Sequence, residues 1–468
     1  MISDELTYRI RSAFTHVPTA EQEQAIETFG RFLTDRRDNC VMVMRGSAGT
    51  GKTTLAAAIV RALTSLEQKL VLMAPTGRAA KVFSLYAGHP ANTIHRRIYR
   101  QKSLEDSFSL NFNAARDTLF IVDEASMIAN QGSSDTPFAS GMLLDDLVRF
   151  VYSSEHCRML LIGDRAQLPP VGEEDSPALM AGVLSQYDLH VYECDLNEVV
   201  RQSRQSGILY NATVIRHLDG MQLPKIDFRF PDITMVPGNE LIEQLSGSYS
   251  KAGMDDTIVV TRSNKRANIY NQGIRNSILD REEELCTGDR LMIVKNNYHW
   301  VAQESQLSFL ANGDMAVVRR VRNVHVQYGF RFAEVTMTLP DYDDYELTAM
   351  TLLDTLTSEA PALTREQQEQ LYQAVMADYA DIPRKADRLK KVKEDRYYNA
   401  LQVKFAYAAT CHKAQGGQWA HVYVDQGYMT DDMLSPSYIH WLYTAFTRAT
   451  DHLFLVNWPH LQTLTPME

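Results

Sequence analysis

Residues Gly46-Ser47-Ala48-Gly49-Thr50-Gly51-Lys52-Thr53 follow the spacing G-x-x-x-x-G-K-[ST]. Such an octapeptide works in one setting, a turn between a buried strand and a helix. There glycine lets the backbone curl, and successive N–H groups converge on one anion at the helix N-terminus. The flanks meet that requirement. Cys40-Val-Met-Val-Met44 is an apolar run of strand length, and residues 54–63 read as a helix. The anion is then the phosphate chain of a nucleotide. Lys52 would reach the β- and γ-phosphates and Thr53 would hold Mg²⁺, so residues 46–54, ending at Thr54, are the candidate nucleotide contacts.

The rest of the chain repeats the strand-then-helix order. Apolar runs at 40–44, 70–74, 119–122, 159–162 and 190–192 alternate with helical stretches, and residues 6–32 read as helical. This predicts an α/β fold with a parallel sheet covered on both faces. A later set, at 257–260, 403–407, 421–424 and 452–456, predicts a second sheet of the same kind. Between about 291 and 357 the period changes to two, with runs at 317–321, 324–328 and 333–338 that predict a small antiparallel β module. Residues 364–401 read as long, charged and helical. The expected domains are therefore 1–200, a second domain from 201–290 and 402–468, and a β-plus-helix insertion at 291–401. The basic run at 384–393 lies in that insertion and reads as a solvated helix face.

Two further strand ends carry chemistry. Leu119-Phe-Ile-Val-Asp-Glu-Ala-Ser-Met127 ends an apolar strand in two carboxylates. Asp123 would bind Mg²⁺, and Glu124 would orient and deprotonate an attacking water, the parts that phosphoryl transfer needs beside a phosphate cradle. At the next strand end, Leu161-Ile-Gly-Asp-Arg-Ala-Gln-Leu-Pro-Pro170, Gln167 can donate to a phosphoryl oxygen or to water. Open α/β sheets bind ligands at such carboxyl ends.

Composition bounds the partners. A chain of 468 residues suggests about three domains of roughly 150 residues. No apolar run reaches the roughly 18–20 residues that span a bilayer, and the acidic start Met1-Ile-Ser-Asp-Glu-Leu lacks the marks of a secretory signal, so no membrane partner is expected. The five cysteines are scattered and never in C-x-x-C spacing. That argues against a zinc site or disulfide framework and for a reducing, cytoplasmic setting. A net charge of −11 makes long-range steering onto nucleic acid poor, although a path for one strand needs only a local positive groove.

In chain order the motifs GSAGTGKT, APTGRAAK, TIH, VDEASM, GDRAQLPP, LNEVVRQS, ATCHKAQGG and YTAFTRA resemble those of superfamily 1 DNA helicases. More narrowly they resemble the RecD/Dda-type branch (1B), whose members move 5′ to 3′. The resemblance spans about 19–449, nearly the whole chain. It implies two RecA-like P-loop NTPase domains with ATP and Mg²⁺ between them, an SH3-like element in the second-domain insertion, and ATP-driven unwinding of duplex DNA from a single strand. Gln22, in Pro18-Thr-Ala-Glu-Gln-Glu-Gln-Ala25, would read the adenine edge. Arg201 and Arg448 match the two arginine fingers, a role suited to a planar and permanently charged guanidinium. DNA contacts would come from Pro75, Thr76, Arg78 and Lys81, from Thr93 and His95, from Thr410, His412 and Lys413, and from Arg262 and Asn264. Gln415, Gly416 and Gln418 would lie towards the nucleotide; the family often carries a Glu, for the ribose, where Gln418 stands.

Relatives carry a duplex-splitting pin between the TIH and Asp-Glu motifs, here about 96–117. Within it Phe108, Leu110 and Phe112 alternate, and two readings stand: a wedge that stacks on the opening base pair, or packing onto their own domain. The implied partners are single-stranded DNA and duplex/single-strand junctions, met by a monomer that works with replication or recombination proteins. Two other readings remain open: the motor subunit of a recombination nuclease complex, and a P-loop NTPase that does not act on nucleic acid.

Overall fold

A computed structural model of the chain describes residues 2–14, 16–100, 109–132, 140–199, 206–301, 307, 309–430 and 433–464. The N-terminal half holds a six-stranded parallel sheet built from β1 (Cys40–Gly46), β2 (Lys69–Ala74), β3 (Ala91–Thr93), β6 (Thr118–Val122), β7 (Arg158–Gly163) and β8 (His190–Leu196), in the order β3-β2-β6-β7-β1-β8. A two-stranded hairpin, β4 (Tyr99–Arg100) with β5 (Ser109–Leu110), stands outside it. The period of two within β1 explains how one strand serves two layers. Met42 and Met44 face the helices α1 (Ile2–Ala13), α2 (Ala20–Thr34) and α3 (Lys52–Ser65), alongside Leu6, Phe29 and Ile59. Val41 and Val43 face the opposite layer, with Leu144, Leu147 and Val151. Each such fully buried side chain contributes about 1.5–3 kcal/mol.

The expected single helical stretch at 6–32 is two helices. Pro18 keeps its preceding residue out of the helical region. Thr19 then starts α2 with a capping box, its hydroxyl accepting from Gln22 N while Gln22 Oε1 accepts from Thr19 N. Helix α4 (Gly77–Ala87) follows β2, the short helix α5 (Ile94–Ile98) follows β3, and α6 (Leu143–Tyr152) covers the second face.

A second parallel sheet has the order β16-β10-β17-β18-β9, from β9 (Ile233–Val236), β10 (Thr257–Thr261), β16 (Ala408–Thr410), β17 (Trp419–Asp425) and β18 (Ala449–Val456). Between β10 and β16 the chain makes a closed barrel of β11 (Arg290–Ile293), β12 (Met315–Gln327), β13 (Phe330–Leu339), β14 (Tyr345–Leu352) and β15 (Leu401–Phe405). The run expected as one strand of the second sheet, 403–407, is thus a correction. Its first part is β15, which pairs with β11 and β14 and carries the barrel past Leu401; only Ala408–Thr410 enters the sheet. A short run buried on both faces does not reveal which sheet it joins.

The runs at 317–321 and 324–328 are likewise one strand, β12, with register shifts at Val318/Arg320 and Arg322/His325. Tyr328 and Gly329, at φ 55° and 82°, make the tight turn into β13. The charged stretch after the barrel's first strands is two helices, Arg365–Asp378 and Lys385–Glu394. Strands β3, β9 and β14 were not legible as runs. Among the described residues no helix is long and apolar enough to cross a membrane.

The barrel also touches the first domain. A Cβ on Gly77 would meet the Tyr342 hydroxyl and lie 2.9 Å from Asp314 Oδ1, so only glycine admits this approach to α4. Lys81 Nζ donates to the Pro340 carbonyl at 2.5 Å, and Tyr342 Oη donates to Asp314 Oδ1 at 2.9 Å.

Candidate active site

The loop after β1 takes the shape its glycines allow. Gly49 and Gly51 sit at φ 78° and 80°, where a Cβ is strained, and a Cβ on Gly46 would lie 2.9 Å from Lys52 Cγ. Helix α3 begins at Lys52. Lys52 Nζ donates to the Ser47 carbonyl at 2.9 Å, and Thr50 Oγ1 donates to the same oxygen at 2.8 Å. Thr53 and the exposed Thr54 follow in the first turn. Gln22 is buried behind the loop. Its Nε2 donates to the Thr50 carbonyl at 3.0 Å while its Oε1 takes the Thr19 N–H, so both ends of the amide are engaged with the protein.

The carboxylates follow β6, in the same sheet as β1 and separated from it by β7. Asp123 N donates to the Met73 carbonyl, which ties the end of β6 to β2, and Asp123 Oδ1 accepts from Glu124 N at 2.8 Å. Glu124 stands at φ 53°, a left-handed conformation uncommon for a residue with a Cβ and frequent at functional sites. Burial, then Glu124, pushes the Asp123 carboxyl up to about 7, with Lys52 pulling against it. A divalent cation there would favour the ionised form. At the end of β7, Gln167 is buried with no hydrogen-bond partner for Oε1 among the described residues, and Ser47 Oγ is in the same condition. Buried polar atoms left open beside a loop of N–H groups suit a site completed by a bound nucleotide. Thr53 and Asp123 offer the two oxygen ligands through which Mg²⁺ is usually held alongside phosphates. A cavity of about 500 Å³ opens at the start of the loop, lined by Gly46, Ser47, Asp164, Ala166 and Arg216 among others but not by Lys52, Thr53, Asp123 or Gln167.

The second sheet closes this cleft with the helix Pro436–Phe446. His440 Nδ1 lies 2.9 Å from the Ala166 carbonyl, Thr444 Oγ1 accepts from Leu168 N at 2.8 Å, and Gln415 Nε2 donates to the Leu168 carbonyl at 2.8 Å. Tyr443 Oη donates to Asp164 Oδ2 at 2.5 Å and accepts from Ala48 N at 2.8 Å. Arg448 is close to this helix yet faces its own domain. It is 2% exposed and donates to the carbonyls of Thr444 and Gly417, both at 3.0 Å, and to Thr447 Oγ1 at 3.2 Å. Arg201 lies outside the described residues.

The candidate strand contacts gather on the other side of the same seam. Pro75 and Thr76 follow β2, and Thr76 caps α4 by accepting from Ala79 N. Thr93 caps α5 through Arg96 N. Gly416, at φ 76°, brings the second domain against Thr76, with its Cβ position 3.2 Å from Oγ1. Arg78 reaches across the seam, donating to the Gln418 carbonyl at 2.8 Å with its guanidinium 4.1 Å from the centre of the Trp419 ring. His95 and His412, one from each domain, line a common cavity of about 580 Å³ with Pro169, Pro170 and Gln415. Burial holds His95 down to about 4 and lowers His412 below the usual histidine value, so both are neutral near pH 7. Thr410 begins the short helix Cys411–Ala414. Within it Lys413 keeps a buried Nζ with no hydrogen-bond partner among the described residues, and burial, then Lys404, lowers it to about 8. Arg262 is exposed and extends over the Tyr438 and Trp441 rings at 5.5 and 5.9 Å, with Asn264 at the start of the following helix. These two stand apart from the histidine cavity's lining.

In the hairpin region, Phe108 lies outside the described residues. Leu110 packs against the first domain's core, whereas Phe112 is 75% exposed. The residues that sequence reasoning missed are Tyr443 and Asp164. Both fall inside quoted motifs, but a pairing of residues 279 positions apart leaves no local pattern.

Comparison with known proteins agrees with this arrangement. The family model for an AAA domain matches residues 18–221, and that for a UvrD-like helicase C-terminal domain matches 405–456. The chain is 24% identical to the ATP-dependent DNA helicase dda of Enterobacteria phage T4, over 89% of this chain and 91% of that protein. It is 23% identical to the ATP-dependent RecD2 DNA helicase of Deinococcus radiodurans, over 94% of this chain and 50% of that protein. The crystal structure of Pif1 helicase from Candida albicans superposes with a TM-score of 0.46 at 16% identity, covering 96% of each chain. Two parallel sheets that meet along one seam, an AAA-domain match in the first and a UvrD-like helicase C-terminal match in the second, and relatives aligned along nearly the whole chain make this chain similar to the DNA helicases of the RecD/Dda type.

Proposed function

We propose that this chain is an ATP-dependent DNA helicase that moves 5′ to 3′ along single-stranded DNA and unwinds the duplex ahead. The observation that carries the reading is the cleft itself. The phosphate loop of the first sheet is hydrogen-bonded to the Pro436–Phe446 helix of the second, so a nucleotide on Lys52 lies between two bodies that can move. That the phage T4 and Deinococcus relatives are ATP-dependent DNA helicases by name supports the same reading.

In this mechanism the N–H groups of residues 46–54 and Lys52 hold the phosphates, and Thr53 and Asp123 would hold Mg²⁺. When bound, Mg²⁺ neutralises phosphate charge. Glu124 takes the proton of the attacking water, and Gln167 reports on the γ-phosphate. Arg448, from the second domain, and Arg201 supply charge to the transferring phosphoryl group. Gln22 braces the phosphate loop from behind and Gln415 ties the second domain to Leu168, whereas Gly416 and Gln418, expected on the nucleotide side, lie with the strand contacts beside Thr76 and Arg78. Thr76, Arg78, Lys81, Thr93 and His95 grip DNA from one domain, and Arg262, Asn264, Thr410, His412 and Lys413 from the other. Cleft closure and opening then move one set past the other, which requires unequal DNA affinity in the two states. The proposed working form is a cytoplasmic monomer that acts at single-strand/duplex junctions.

Strand displacement from duplexes with a 5′ tail or a 3′ tail tests this. ATP-dependent displacement with the 5′ tail alone is expected. Displacement from the 3′ tail would reverse the polarity, and none from either would remove the helicase reading.

A further inference from the structure

The mechanism above gives no role to Tyr443, although its hydroxyl joins the two domains at the phosphate loop. Its side chain is 1% exposed and belongs to the second domain, while both hydrogen-bond partners belong to the first. Burial, and then Asp164, raises its phenol well above the ordinary value, so the proton stays on oxygen. The direction of both bonds is therefore fixed: Oη donates to the Asp164 carboxylate and accepts from the Ala48 N–H. The neighbouring cross-domain bonds from His440, Thr444 and Gln415 all end on residues 166–168. Tyr443 alone of these reaches the phosphate loop.

That contact competes with a ligand. The N–H groups of such a loop serve to hold phosphate oxygens, and here one of them is held by a hydroxyl from the opposite domain. Entry of a phosphate that takes the Ala48 N–H must displace the hydroxyl, which has no second donor to turn to at Asp164. The consequence falls on one helix. Arg448, five positions on, keeps all of its described hydrogen bonds within the second domain.

Resting on the reading of the protein as an ATP-driven motor, we propose that Tyr443 is its nucleotide-state sensor. The hydroxyl and a bound phosphate exclude each other at the Ala48 N–H. Phosphate takes the loop N–H from it, and the broken bond frees the Pro436–Phe446 helix to bring Arg448 towards the nucleotide. Tyr443 is then a positioning residue, acting through Arg448 and through the loop.

Three proteins test this, each without and with single-stranded DNA: the wild type, Tyr443→Phe, and Thr444→Val. Binding is read by titration with a fluorescent derivative of the non-hydrolysable analogue AMP-PNP, and turnover by phosphate release. Tyr443→Phe removes the competing hydroxyl and leaves the ring. It should bind the analogue about 2- to 10-fold more tightly without DNA, the worth of one hydrogen bond. Its DNA-free hydrolysis should rise, so that stimulation by DNA falls. Thr444→Val breaks the neighbouring bond to Leu168 and spares the loop, so it should not tighten binding. Unchanged or weaker binding by Tyr443→Phe overturns the sensor, as does equal tightening by Thr444→Val, which would reflect general loosening of the seam. A wild type that neither binds the analogue nor responds to DNA refutes the motor reading itself; a responsive wild type beside an unaltered Tyr443→Phe refutes the sensor alone.

Discussion

Glu124 holds a backbone conformation that costs a residue with a Cβ on the order of 1–3 kcal/mol, and the strand end maintains it by turning Asp123 Oδ1 onto the Glu124 N–H. Strain of that kind persists where a side chain must be aimed. Replacing Glu124 with Gln keeps size and hydrogen bonding but removes the proton acceptor. Nucleotide binding should survive while turnover falls by about 10²–10⁴-fold; a single-turnover assay with normal rates would place the base elsewhere. Lys52 lies close enough to Asp123 to pull its carboxyl down against burial. Lys52→Ala should accordingly lose both analogue binding and hydrolysis, and near-normal turnover in the purified variant would remove the phosphate loop from the mechanism.

The hairpin β4–β5 and the barrel are the elements that set this chain apart from a bare pair of sheets. Phe112 follows β5 and is exposed, as a wedge must be, while Leu110 is taken up by the core. Phe112→Ala should cut duplex unwinding and spare translocation on single strands, measured by streptavidin displacement; loss of both, or of neither, would sink the wedge. The barrel's seat on α4 depends on Gly77. Gly77→Ala forces Tyr342 aside, and overpacking of this kind costs about 1–3 kcal/mol, so the midpoint of unfolding in urea should drop; an unaltered midpoint would contradict the contact. These elements also mark how far the sequence could be read. The strands that lead to Lys52, Asp123 and Gln167 were legible because each is an apolar run followed by a motif. The fate of 403–407 was not, because a run buried on both faces fits a barrel and a sheet equally well. Short strands such as β3 carry too few residues to show a period, and β12 reads as two because its bulges break the alternation. The Tyr443–Asp164 and Arg78–Gln418 contacts join distant parts of the chain and leave no local trace.

At the scale of the whole molecule, one seam does two jobs. On one side it holds the phosphate loop, the carboxylates and the Pro436–Phe446 helix; on the other, His95 and His412 face a shared cavity from opposite domains. Any change in the seam is therefore felt on both sides, which in the proposed motor would couple hydrolysis to movement along a strand. Arg448 is the residue through which the claim can be broken. It is far along the chain from Lys52 and has a reason to matter for hydrolysis only if the second sheet completes the site. Arginine fingers contribute about 10³–10⁵-fold in rate, and lysine keeps the charge without the planar fork. The decisive measurement is the ATPase rate of wild type, Arg448→Ala and Arg448→Lys with and without single-stranded DNA, alongside DNA binding. The account predicts strong stimulation of the wild type, loss of stimulated hydrolysis in both variants, and retained strand binding; wild-type rates in both variants would contradict the shared cleft and the motor built on it.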